Sequence, residues 1–239
     1  MKTIGVLGGL GPQATMDFEA RVHAVSQQLI PQKGNTGYPP MVVYYYRHAP
    51  VLMKEDMSGP VFPIEVDERL LDAAAALGPL CDFIVITSNG VHAMQPLIEQ
   101  ASGRKVLSLI DVTLDEVKRR ALRRVGAISF VGNGIYTAPL ERIGLECVDI
   151  PTEVQQRLDA VILAFQAGTH DDEGHGAALD AVNWLRAQGT DGIILGCTEV
   201  PLMLRPVPGR AELADLADAP DLINPAQLLA EAAVRYAME

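Results

Sequence analysis

Short apolar runs alternate along this chain with longer stretches of helical patterning. The runs at 3–7, 41–45, 83–86, 106–109, 126–130 and 192–195 are four or five residues long and read as buried strands. Between them, 70–77 is rich in Ala and Leu, 111–123 sets its charges along one helical face, and 177–188 is closed by Gly189, a helix stop. The last segment, 225–236, starts as helices start, with Asn224 as N-cap and Pro225 in the first position. Strands alternating with helices predict βαβ units and mainly parallel sheets. Segment 53–63, with Gly59, Pro60 and Pro63, reads as a loop, either a flap or a fixed connection.

The pattern also repeats. Asp82-Phe83-Ile84-Val85-Ile86-Thr87-Ser88-Asn89 overlays Asp191-Gly192-Ile193-Ile194-Leu195-Gly196-Cys197-Thr198, and Thr3-Ile4-Gly5-Val6-Leu7-Gly8 overlays Arg124-Val125-Gly126-Ala127-Ile128-Ser129. Two matches in the same order point to a duplicated α/β unit. The expected organisation is two pseudo-symmetric Rossmann-like lobes, 1–105 with helix 225–239 packing back on it, and 106–224. Ligands of open parallel sheets bind beyond the carboxyl ends of the strands. Ser88 and Cys197 are thereby expected on opposite walls of one cleft.

Composition narrows the function. Of 239 residues, 19 are Lys or Arg and 30 are Asp or Glu, a formal charge of −11. That balance opposes nucleic-acid binding, which depends on basic residues displacing counterions. Cys81, Cys147 and Cys197 form no C-x-x-C pair, which speaks against a zinc knuckle or disulfide framework and for a reducing cytoplasm. The opening residues 1–9 do not read as a signal peptide, and no apolar run approaches the ~20 residues of a membrane span.

Cys197 ends a buried strand and opens Gly196-Cys197-Thr198-Glu199-Val200-Pro201. A thiol at the amides of a following turn can ionise and act as base or nucleophile; the alternative is a small buried hydrophobe. Gly8-Gly9-Leu10-Gly11 does not satisfy G-x-G-x-x-G, so it is no dinucleotide loop, but the amides of Gly9 to Gly11 at a helix start can hold a carboxylate. The alternative is a tight turn. His92, four residues beyond Ser88, is either a site acid or a satisfied helix histidine. In His170-Asp171-Asp172-Glu173-Gly174-His175 the histidines are off a common helical face, so a helix start with acidic residues is expected and no metal site.

Ile4-Gly5-Val6-Leu7-Gly8-Gly9-Leu10-Gly11-Pro12-Gln13-Ala14-Thr15, Ser88-Asn89-Gly90-Val91-His92 and Gly196-Cys197-Thr198-Glu199-Val200-Pro201-Leu202 resemble the three signature regions of the aspartate/glutamate racemase family, over essentially the whole chain. The resemblance implies a cofactor-independent isomerase of two α/β lobes, a small carboxylate substrate such as aspartate or glutamate, a cytoplasmic setting and a homodimer. It also implies two cysteines, one per lobe, that remove and return the Cα proton on opposite faces.

Cys197 matches the second-lobe cysteine. Ser88-Asn89-Gly90 stands where Cys-Asn-Thr is expected, so proton transfer is expected to be one-sided or enantiomer-selective, with Ser88 at best a relay. Asn89, Gly90, Thr198 and Glu199 are expected beside the substrate. Arg47, in Tyr44-Tyr45-Tyr46-Arg47-His48-Ala49-Pro50, either binds a distal carboxylate or lies on the surface, and Phe165-Gln166-Ala167-Gly168 lacks an expected lysine. Alternative functions are a single-cysteine decarboxylase or isomerase of a small diacid, of the arylmalonate decarboxylase or maleate isomerase type, and a non-catalytic carboxylate binder.

Overall fold

The computed structural model describes residues 1–55, 61–132, 134–209, 215–216 and 219–239. Gly59 and Pro60 of the anticipated flap lie outside them. Among the described residues no helix is long and apolar enough to cross a membrane. The chain packs as two units, Met1–Leu109 with Leu229–Glu239, and Ile110–Leu228.

The first unit runs β1 (Ile4–Gly8), α1 (Pro12–Leu29), β2 (Met41–Tyr45), α2 (Glu68–Leu77), β3 (Phe83–Ile86) and α3 (Gln95–Ser102). Its strands form a parallel sheet in the order β2-β1-β3. Every residue of β1 and β3 is buried, which is why both are continuous apolar runs rather than alternating ones. Helix α1 begins at the Gly11-Pro12 step and turns Phe18, Val22 and Val25 into the core at helical spacing. Asp67 caps α2 by accepting the Arg69 N–H at 2.9 Å, and α3 stops at Gly103 in the left-handed region.

The second unit holds α4 (Leu109–Arg119), β4 (Arg124–Ala127), α5 (Gly134–Arg142), β5 (Glu146–Val148), α6 (Thr152–Gln166), α7 (Asp172–Ala187), β6 (Gly192–Ile194), α8 (Val200–Met203), β7 (Leu222–Ile223) and the start of α9 (Pro225–Met238). Its parallel sheet is ordered β5-β4-β6-β7. Asn224 caps α9, its side-chain oxygen accepting the Ala226 N–H at 3.1 Å. The far end of α9 belongs to the first unit: the Lys2 N–H donates to the Ala237 carbonyl at 2.8 Å, and Tyr236 packs edge-on against Phe83.

Two expected strands differ. Of the run 106–109 only Val106 pairs, in a single bridge to Ile84, because Leu109 already starts α4 and gives its N–H to the His92 ring at 3.1 Å. The run 126–130 is shifted to Arg124–Ala127, since the chain leaves the sheet through left-handed Val131 (φ 58°) and Gly132 (φ 92°). Helix α7 starts five residues before Ala177, capped by Asp171, whose carboxylate accepts the Gly174 N–H at 2.9 Å. Gly174 and Gly176 weaken the helical signal there.

The strand registers carry the internal repeat. Ile4 pairs with Phe83 in one sheet, and Val125 with Gly192 in the other. The two sequence overlays send Ile4 to Val125 and Phe83 to Gly192, so both hold in one common register. Entry to the paired strands is also alike. The Asp82 N–H donates to the Thr3 carbonyl at 2.9 Å while its carboxylate accepts the Thr3 N–H, and Asp191 does the same with Arg124. Carried to the strand ends, this register makes Thr87 the equivalent of Gly196 and Ser88 the equivalent of Cys197.

Candidate active site

In the first unit the carboxyl ends of β1 and β3 lie side by side. Gly9 has φ 77°, and its N–H donates to Thr15 Oγ1 at 2.8 Å; that hydroxyl is 2.9 Å from Thr87 Oγ1 and 3.3 Å from the Gly11 carbonyl. The Gly9 amide, expected as a carboxylate donor, is thus committed within the turn, while Leu10 and Gly11 lead into α1. A Cβ on Gly9 would lie 2.7 Å from the backbone N and O of Tyr46, whereas one on Gly90 meets nothing. Gly9→Ala is expected to cost on the order of 1–3 kcal/mol. Gly90→Ala should stay within about 0.5 kcal/mol, both measured as urea-unfolding midpoints.

Ser88 is half-buried, Asn89 buried and Gly90 exposed at the start of a 3-10 turn after β3. His92 is buried beneath them. Because its Nε2 accepts the Leu109 N–H at 3.1 Å, its Nδ1 carries the proton and donates to the Ser88 carbonyl at 2.8 Å. Both ring nitrogens are therefore spent on backbone, and His92 braces the Ser88 segment rather than serving as a site acid. Arg47 is exposed, its guanidinium 4.8 Å from the centre of the Tyr45 ring. The tyrosines separate: Tyr44 is exposed, Tyr45 donates to Glu19 at 2.8 Å, and Tyr46 is buried with its hydroxyl on the Ala49 carbonyl.

In the second unit everything from Gly192 to Leu204 is buried. Cys197 follows β6 and donates its thiol proton to Glu199 Oε2 at 3.1 Å; the Thr198 hydroxyl donates to the same oxygen at 3.0 Å. Gln166, from the end of α6, donates its amide to the other oxygen, Oε1, at 3.1 Å. One carboxylate thus gathers thiol, hydroxyl and amide. Opposite Gly196 sits Ser129, so close that a Cβ on Gly196 would lie 2.4 Å from its Oγ. A side chain cannot be added there without displacing Ser129 or Tyr136.

A model of the Asp/Glu/Hydantoin racemase family matches residues 7–233. The chain belongs to this family. It is 26% identical over 216 residues to the broad specificity amino-acid racemase RacX of Bacillus subtilis strain 168, spanning 89% of this chain and 92% of that protein. Its fold is that of an aspartate racemase homologue from Pyrococcus horikoshii OT3 (TM-score 0.73, 21% identity, both chains fully covered) and of the Picrophilus torridus aspartate racemase (TM-score 0.73, 19% identity, covering 100% of this chain and 95% of that one).

For a racemase-family thiol the local electrostatics matter most. Burial pushes the Cys197 thiol well above its ordinary range, and the Glu199 charge pushes it further; the backbone N–H groups of Glu199 and Val200 pull the other way without prevailing. The resting group is the protonated thiol. Since the folded thiol keeps its proton to higher pH than the unfolded one, this stabilisation is complete below the ordinary thiol value of ~8.5 and is lost as pH rises through the folded value. Glu199→Gln removes the added charge and should move the Cys197 titration to lower pH. The check is the thiolate absorbance difference between each protein and its Cys197→Ala partner. An unmoved titration would contradict the charge coupling.

Cys197, Thr198 and Glu199 come together at one carboxylate oxygen. Thr15 and Ser129 were not anticipated, and Gln166 lies in the segment singled out above for lacking a lysine. Its reach to Glu199 spans 33 residues, a separation that leaves no local pattern. Thr15 could have been found, because it lies one helical turn into α1 from a glycine turn with an amide to satisfy.

Proposed function

We propose that this protein is a cofactor-independent amino-acid racemase in which Cys197 exchanges the Cα proton of the substrate, with Ser88 serving the opposite face less effectively. The observation that carries this reading is the Cys197–Glu199 hydrogen bond at 3.1 Å in a buried strand-end segment. It joins the thiol directly to a carboxylate oxygen.

The balance of the step is simple. The thiol proton passes to Glu199; the thiolate then takes the Cα proton, leaving an enolate-like carbanion. Return of a proton from the same sulfur restores the starting enantiomer, and return from the other face inverts it. Thr198 and Asn89 supply neutral donors for the substrate carboxylate as charge develops on it. The Ser88 hydroxyl, far less acidic than a thiol, relays a proton from water to that face, and Glu199 returns its proton to solvent; the hydroxyl is a poor base without an activating neighbour. This accounts for an expected preference for one enantiomer. A cytoplasmic, dimeric setting belongs to the same proposal.

The test is chiral chromatography of single L- and D-amino acids after incubation with wild type and with Cys197→Ala. The reading requires that wild type form the opposite enantiomer from at least one of them and that the variant not do so. Formation at equal rates by both proteins would sink it.

A further inference from the structure

The proposed racemase site carries, in the second unit, an apolar feature that its proton chemistry does not use. The chain leaves β4 through Ser129-Phe130-Val131-Gly132, at the same sheet edge as Cys197, with Ser129 against Gly196. Phe130 is 39% exposed and Val131 73% exposed. Val131 also has φ 58°, a conformation in which a β-branched residue is a genuine outlier, costing about 1–2 kcal/mol. Nothing in the core repays that strain, since the valine side chain faces outward.

The strained turn is nonetheless pinned. The Val131 N–H donates to Asp159 Oδ1 at 2.9 Å, and the Gln155 amide bridges the same oxygen at 2.6 Å and the Ser129 carbonyl at 2.9 Å. A pinned, strained backbone that holds two apolar side chains out at the ligand end of a parallel sheet is how a ligand clamp is built.

The charges nearby point the same way. The charged side chain bonded to the thiol is the Glu199 carboxylate, and the group that reaches that carboxylate from α6 is the neutral Gln166. A substrate side-chain carboxylate placed beside Glu199 would meet a like charge against a segment buried from Gly192 to Leu204, and a buried charge beside a like charge is expensive. A hydrocarbon or aromatic side chain carries no such penalty.

From these observations, and resting on the racemase reading, we infer that Phe130 and Val131 determine specificity, and that the substrates are amino acids with apolar or aromatic side chains rather than aspartate or glutamate. The test measures Cα deuterium incorporation from D2O into both enantiomers of leucine, methionine, phenylalanine, aspartate and glutamate. In wild type, kcat/KM for the better enantiomer of the apolar group should exceed that for the acidic pair by about tenfold or more. Phe130→Arg should shift that ratio at least about tenfold toward the acidic pair. Val131→Gly, which relieves the strained φ, should raise KM for the apolar group without lowering the thermal unfolding midpoint, so that loss of fold is not the cause. Equal rates on the two groups, a preference for the acidic pair, or a Phe130→Arg ratio like that of wild type would overturn the assignment while leaving the racemase reading intact. Absence of exchange with all five amino acids would overturn both.

Discussion

Cys197→Ala is expected to reduce Cα-proton exchange by about 10²–10⁴-fold, the range that a positioned general acid or base contributes, while leaving the protein folded. The side chain is small and 6% exposed, so its loss opens only a sulfur-sized space. What disappears is the group that donates to Glu199 Oε2 at 3.1 Å. Thr198 continues to donate to that oxygen and Gln166 to its neighbour, so the carboxylate is not abandoned. Substrate binding should therefore survive, and the loss should fall on kcat rather than KM. A variant with unchanged kcat would remove the thiol from the mechanism.

Ser88→Cys should act in the opposite direction, raising the rate of inversion by about tenfold or more. Ser88 is the register equivalent of Cys197, two residues beyond Ile86, the last residue of its strand that pairs with the first strand of the sheet. The substitution exchanges oxygen for sulfur at a half-buried site whose backbone is held by His92. It puts a group of ordinary pKa ~8.5 where a hydroxyl could not serve as base. In the double variant Ser88→Cys/Cys197→Ala the enantiomer preferred for exchange should reverse. Chiral chromatography with a time course for each enantiomer checks both statements. Unchanged inversion in a folded Ser88→Cys protein would show that Ser88 does not serve the second face.

The parts of this molecule legible in its sequence are those fixed by local physics. Residues 41–45 and 83–86 emerge as strands at the bounds the sequence suggests, because apolar side chains on both faces leave a short uninterrupted run. The repeat was legible because duplicated strands keep both their apolar pattern and their entry aspartates, Asp82 and Asp191. Strands Glu146–Val148 and Leu222–Ile223 were not foreseen, being three and two residues long with no period to detect. The site divides likewise. Cys197 to Glu199 are neighbours in sequence and meet in space. The engagement of the Gly9 amide by Thr15, the outward stack of Arg47 on Tyr45 and the reach of Gln166 to Glu199 depend on tertiary packing. The left-handed Val131 had no sequence signal, since a valine is the last residue expected there.

One thiol, Cys197, is expected to exchange the Cα proton faster than the molecule inverts. The most direct measurement follows single enantiomers in D2O by NMR, recording deuterium incorporation at Cα and the appearance of the opposite enantiomer in the same sample, for wild type and for Cys197→Ala. One enantiomer should gain deuterium with retained configuration well before inversion is seen, and this exchange should disappear in Cys197→Ala. Exchange that persists without the thiol would exclude Cys197 as the exchanging group, and inversion that keeps pace with exchange from both enantiomers would exclude a slower second face.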